Sequence, residues 1–205
     1  MAKMKAAPGA SKRRARKTVD KWKAKQWYEV RASPELDGIY IGQTPAESEE
    51  RLLGRVVETS LFEFTQDFNH ASIKLKFRID EVNGLLANTR FVGHELTRDF
   101  IRSLVRRGSN RIQSIVDVKT KDGFTFRITG TIFTFSQAHS SQQKTIRKIL
   151  SDILLEQANN MNFKEFVQEM VFSNIERDIK RIANEIVPIR DAKLLKSQLI
   201  AEPKE

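Results

Sequence analysis

"ASIKLKFRIDEVNGLLANTRFV", Ala71 to Val92, decides how this 205-residue chain folds. Ile73, Leu75, Phe77 and Ile79 alternate with Lys74, Lys76, Arg78 and Asp80. A period of two places the first set on one face of a β-strand and the second on the other. Asn83-Gly84 is the residue pair favoured in a two-residue hairpin turn, where both positions take positive φ. "LLANTRFV" is then expected to pair back on the first strand. The stretch reads as an antiparallel hairpin with one apolar face, and that face needs a cover.

Upstream, "WYEVRA" (Trp27 to Ala32) reads as a first strand. "SPELDGIYIGQTPAESEE" carries Pro34, Gly38, Gly42 and Pro45, which mark turns and a loop. "LLGRVVETSLFEF", Leu52 to Phe64, reads as a strand with Gly54 as a bulge. Downstream, "LTRDFIRSLVRRG" switches to helical spacing. Phe100, Ile101, Leu104 and Val105 form its inner side and Gly108 its C-cap. "RIQSIVDVKT", the turn "KDG" and "FTFRITGTIFTF" make a second hairpin. From Ser140 three apolar stripes recur at helical period: Ile146 to Leu154, Phe163 to Met170 behind an Asn162 cap, and Ile175 to Ile186 before Pro188. "AKLLKSQLI" fits helix or strand.

Strands first and helices later predict an α+β fold. Its body is an antiparallel, β-barrel-like set of about six strands (about 26–136) with one inserted helix. A C-terminal set of about three helices (about 140–188) follows. A single globular domain, 21–200, would carry a disordered basic extension over 1–20. No internal repeat of solenoid period occurs.

Composition narrows the partners. Thirty-six Lys and Arg against 26 Asp and Glu give +10. Of that charge, +9 lies in the first 31 residues, where eleven basic residues face only Asp20 and Glu29. A basic arm on a nearly neutral body suits a polyanion. With no cysteine, disulfides and thiolate chemistry are excluded. No apolar run is long enough for a membrane helix, and the basic start lacks the apolar region of a secretory signal. An organelle transit peptide would share the basic start, but the aromatic stretch beyond it looks structural.

Nothing in the motifs resembles a catalyst. His70, His94 and His139 lie in separate segments without helical metal-ligand spacing. Asp80 and Glu81 are adjacent on a strand and point to opposite faces. No cofactor, metal or small-molecule substrate is expected. The candidate RNA-binding residues form two groups. In the arm they are Lys12, Arg13, Arg14, Arg16, Lys17 and Lys21, then Trp22, Lys23 and Lys25. Trp22 could stack on a base or pack on the domain. Trp27 and Tyr28 read as strand residues that bury apolar area and clamp the arm to the fold. In the body, Arg98, Arg102 and Arg106 recur at i, i+4 and i+8, opposite the apolar side of their helix, with Arg107 and Arg111 beyond. Arginine suits bidentate phosphate contacts. The Lys74/Lys76/Arg78 face is what any solvated sheet shows.

Five blocks, "DKWKAKQWYEVRAS", "GHELTRDFIRSLVRRG", "IVDVKTKDGFTFRI", "TIRKIL" and "IERDIKRIANEIVPIRDAKLLK", occur in an order that resembles one family. It is the archaeal and eukaryotic small-subunit ribosomal protein family S-three-A-e, also S-one-e. The resemblance spans about Asp20 to Lys196. It implies a non-enzymatic protein of the cytoplasmic ribosome, on the platform of the small subunit near the messenger RNA exit. The implied partners are ribosomal RNA, neighbouring platform proteins and messenger RNA near the exit. The chain ends soon after "LLKSQLIAEPKE", which resembles the archaeal members. Where many members are rich in arginine and lysine, this chain has "FSQAHSSQQK", so that connector is assigned no RNA contact. Two other readings stay open from the residues: a free-standing single-strand nucleic-acid chaperone, and a protein-interaction scaffold built on the helical part.

Overall fold

The computed structural model describes residues 22–203. The Ala71–Val92 pattern forms the expected hairpin, strands β4 (Ile73–Asn83) and β5 (Leu86–Leu96). Ile73, Leu75, Phe77 and Ile79 are all buried, and Phe77 meets Phe91 edge-on at 6.0 Å. The turn is shifted by one residue. Asn83 pairs with Leu86, so Gly84 and Leu85 form the loop. Gly84 alone takes positive φ (63°), the signature of a type II′ turn.

Eight strands form one sheet. They are β1 (Gln26–Arg31), β2 (Tyr40–Ala46), β3 (Val56–Ser60), β4, β5, β6 (Arg111–Lys119), β7 (Thr125–Thr134) and β8 (Ile189–Ala201). β5 is the hub. One edge pairs with β4, which carries β3. The other edge is shared between β1, parallel at Leu86–Asn88, and β8, antiparallel at Glu95. The sheet does not close into a barrel, because β2, β3 and β6 each keep one edge unpaired. β2 was expected as a loop. Its Pro45 is tolerated because an edge strand does not need every N–H. The predicted strand Leu52 to Phe64 is shorter: only β3 is extended, and Phe62–Thr65 is a single helical turn, α1. Gly54, at φ 78°, sits before the strand and is not a bulge.

The α+β architecture holds, with α2 (Arg98–Leu104) inserted between hairpins. Helices α3 (Ser140–Asn160), α4 (Phe163–Val171) and α5 (Asn174–Ala183) match the three apolar stripes. α3 lies on the β6–β7 hairpin, where Leu150 abuts the bare backbone of Gly130 and Ser151 meets Ser114 at 2.9 Å. α4 reaches the 3-10 turn Pro34–Leu36, and its Gln168 donates to Glu35 O at 3.0 Å. The main core lies between these helices and the sheet, around Phe126, Phe166, Ile128 and Leu154. A smaller core of Tyr28, Val30, Leu52, Ile79 and Ala87 seals the β1 end.

One side-chain expectation reverses. Tyr28 is buried, at 4% exposure, but Trp27 is 56% exposed. Neighbouring residues of a strand point to opposite faces, and β1 buries only the face of Tyr28 and Val30, so Trp27 is left on the open one. Trp27 stands opposite Pro45 and does not clamp the arm to the core.

Candidate nucleic-acid interface

Three of the predicted arm residues fall within the described chain, and all three are exposed. The Lys25 ammonium sits 4.3 Å from the centre of the Trp22 ring, a cation–π pair, and Lys23 is exposed beside it. Trp22 keeps 62% of its surface. Lys12, Arg13, Arg14, Arg16, Lys17 and Lys21 lie outside the described residues.

The arginine series is not one helical stripe. α2 ends at Leu104, and Val105 is extended (φ −80°, ψ 128°). Arg98 and Arg102 therefore share a helix, whereas Arg106 and Arg107 belong to the turn after it. Ser103 Oγ bonds back to Phe100 O at 2.7 Å in the last turn of that helix, and Phe100 and Ile101 pack it against the main core. The turn is closed by the Ser109 hydroxyl on Arg106 O at 2.8 Å, with Gly108 at φ 74° as part of the bend, not a C-cap. Arg111 opens β6 and is exposed, donating to Gln113 Oε1 at 3.2 Å. The result is a helix–turn–strand corner with five exposed arginines.

Charge pairing separates this corner from the sheet. On the sheet's outer face Lys76 bridges Glu95 (2.8 Å) and Glu58 (3.2 Å). Arg78 and Arg90 both bind Asp80 and Glu202 at 2.6–3.1 Å. The Glu95 carboxylate holds the Lys76 amine above its ordinary value, and the ammonium pulls Glu95 below its own. Arg127 is likewise held by Asp117 at 2.7 Å. These cations are already neutralised. Among the described residues no ion pair reaches Arg98, Arg102, Arg106, Arg107 or Arg111.

Sequence reasoning missed an extension of the corner. Asn110 Oδ1 accepts the Ala138 N–H at 2.6 Å, which brings the start of α3 beside the arginines. Lys144, Arg147 and Lys148 are exposed on that helix, away from buried Ile146 and Leu150. Their i, i+3, i+4 spacing is the available signal, whereas the sequence reading follows only the apolar stripe from Ile146 to Leu154.

The histidines have structural posts. His94 is buried at 3% exposure, His70 Nδ1 lies 2.9 Å from Thr65 Oγ1, and the His139 N–H donates to Gln142 Oε1 at 3.0 Å at the head of α3. Among the described residues no three His, Cys, Asp or Glu side chains gather as a metal site. No helix of the described residues is long and apolar enough to cross a membrane.

Residues 13–203 match the model of the Ribosomal S3Ae family. The chain is 43% identical over 184 residues to the small ribosomal subunit protein eS1 of Desulfurococcus amylolyticus, covering 90% of this chain and 86% of that one. It is 41% identical to the protein of that name from Methanopyrus kandleri, over 90% and 89% of the two chains. The one from Methanothrix thermoacetophila is 40% identical, over 94% and 92%.

Proposed function

We infer that this chain, which belongs to the ribosomal S3Ae family, is a structural protein of the small ribosomal subunit that binds ribosomal RNA. Membership in that family makes it a non-enzymatic component. The observation that carries the RNA contact is the contrast in charge pairing. Lys76, Arg78, Arg90 and Arg127 on the sheet are committed to carboxylates, whereas among the described residues no ion pair reaches the five arginines of the α2–β6 corner.

The mechanism is electrostatic. Arg98 and Arg102 on α2, with Arg106, Arg107 and Arg111 around the turn, bind phosphates and set the register of the body on the RNA. Lys144, Arg147 and Lys148 continue the track along α3. The arm from Lys12 to Lys25 adds phosphate neutralisation, and the released counterions make binding steeply salt-dependent. Shape and 2′-OH contacts supply specificity, more than base edges do. The place of action is the platform of the subunit near the messenger RNA exit, in the cytoplasmic ribosome, beside other platform proteins and the emerging messenger RNA.

Gradient sedimentation of cell lysate tests this reading. The native protein should travel with small subunits, and a protein that stays at the top of the gradient ends the ribosomal assignment. Replacing Arg98, Arg102 and Arg106 by Gln should weaken incorporation while the melting temperature holds. Unchanged incorporation would return the corner to an ordinary solvated surface.

A further inference from the structure

A cavity of about 320 Å³ opens where α2, the α4–α5 turn and β8 meet the 3-10 turn Phe68–His70. That volume is at the lower end of those that hold small ligands. Its floor is apolar, with buried Ile73 and Leu96. Phe100 and Phe172 line it as well, and Phe172 keeps 40% of its surface exposed. Ser173 takes the left-handed conformation (φ 62°), which few non-glycine residues adopt. That bend reverses the chain between α4 and α5 and presents Phe172 and Arg177 at one mouth.

The charge at the mouth is cationic once its internal pairs are removed. Glu176 has both oxygens engaged, one by Lys193 Nζ and one by the Leu194 N–H, each at 2.8 Å. Asp191 Oδ1 accepts the Ala192 N–H at 3.0 Å, with Lys180 Nζ 3.9 Å away. Arg177 makes no ion pair among the described residues and is exposed. The Asn69 amide gives its N–H to Asp67 at 3.0 Å, which leaves its oxygen as an acceptor at the rim.

We propose that this cavity holds one unstacked nucleotide of single-stranded ribosomal RNA, the base against Phe172 and Phe100 and the phosphate on Arg177. The inference rests on the RNA-binding reading above. An unstacked base has two apolar faces and a polar edge, and its phosphate is anionic. The apolar floor and rings, the Asn69 acceptor and the unpaired guanidinium match those three features in turn. Continuity favours RNA over a peptide: Phe100 sits on α2 between Arg98 and Arg102, so the cavity adjoins the arginine corner.

The test is binding of the full-length chain to intact small-subunit ribosomal RNA, with ultraviolet crosslinking of assembled subunits read by peptide mass spectrometry. Phe172→Ala with Arg177→Gln should lower affinity at least about tenfold, as loss of a base stack and a phosphate contact does, with an unchanged melting temperature. Nucleotide adducts should appear on peptides containing Phe172 or His70, which lie outside the arm and the arginine corner. Adducts confined to the segments 22–25 and 98–111, with full affinity in the double variant, overturn the cavity assignment and leave the RNA-binding reading intact. A chemical crosslink from Lys180 to another ribosomal protein in place of RNA adducts also overturns it. A wild-type chain that neither binds nor crosslinks RNA anywhere fails the underlying reading instead.

Discussion

Ser197 donates its hydroxyl to His94 Nδ1 at 2.7 Å and accepts the His94 backbone N–H at 3.0 Å, across 103 positions of sequence. The imidazole's other nitrogen, Nε2, donates to Leu194 O at 3.1 Å. The neutral ring thus ties β5 to β8 where their ladder pairs only Glu95 with Lys196. Burial holds the imidazole below its ordinary value of 6.5, and a proton on Nδ1 would force the Ser197 hydroxyl to turn from donor to acceptor. Above 6.5 both folded and unfolded chains carry neutral histidine, and this contribution is fully present. As pH falls below 6.5 the unfolded chain takes up a proton that the folded chain resists, so stability drops by at most about 1.4 kcal/mol per pH unit. Glu95 and Asp117, whose pKa values are depressed, add their losses only as pH falls past their ordinary 4.5 and 3.8. Denaturant unfolding between pH 7 and 5 should therefore show an acid limb that His94→Gln flattens. An identical limb in the variant would assign it to another group.

The same junction admits no side chain at Gly93. A Cβ there would lie 2.1 Å from Ser197 O and 2.9 Å from its carbonyl carbon, both backbone atoms. β5 and β8 would have to separate, which breaks the link between the two halves of the sheet. Gly93→Ala should cost more than about 3 kcal/mol, in the range reserved for core disruption. Gly42→Ala, in an edge strand with open space around its Cα, should cost under about 1 kcal/mol. Comparable midpoints for the two variants in chemical denaturation would refute the close approach.

How much of this was legible depended on what each residue faces. β4 and β5 were readable because one face is buried and the other solvated, which writes a period of two into the sequence. The helices α3 to α5 were readable for the equivalent reason at a period of 3.6. β8 was not, because Leu194 and Leu195 are both buried: a central strand covered on both faces loses its alternation. β2 hid behind Gly42 and Pro45, which only its place at an edge makes acceptable. The arginine series was visible as composition, but its geometry depended on where α2 stops, and Val105 decides that. The cavity at the α4–α5 turn was invisible, since Phe100, Phe172 and Arg177 meet only through the tertiary fold.

Salt dependence distinguishes the two classes of arginine. Each phosphate contact contributes about 0.7–0.9 to the slope of log affinity against log salt. Arg107→Gln and Arg111→Gln should each weaken binding to small-subunit ribosomal RNA and reduce that slope by about one. Arg78→Gln should leave both unchanged, because Arg78 is committed to Asp80 at 2.8 Å and Glu202 at 2.6 Å. Filter binding over a salt series reads the difference. A slope change in Arg78→Gln matching that of Arg107→Gln would remove charge pairing as the criterion for the interface.

Glu176 is the carboxylate whose removal should do most harm. It is 6% exposed on α5 and holds two donors of β8, Lys193 Nζ and the Leu194 N–H, both at 2.8 Å. Glu176→Ala leaves a partly buried ammonium and a buried backbone N–H without partners. Breaking a buried pair from one side costs about 3–5 kcal/mol. Glu176→Gln keeps an acceptor for Leu194 and loses only the charge, so it should cost less, about 1–3 kcal/mol. Replacing both ends, Glu176→Gln with Lys193→Met, removes the stranded charge and should recover part of that loss. A double-mutant cycle in urea measures the coupling, expected at about 1 kcal/mol or more. Additive losses would mean that Glu176 acts through the Leu194 N–H alone, with Lys193 a bystander at the cavity wall.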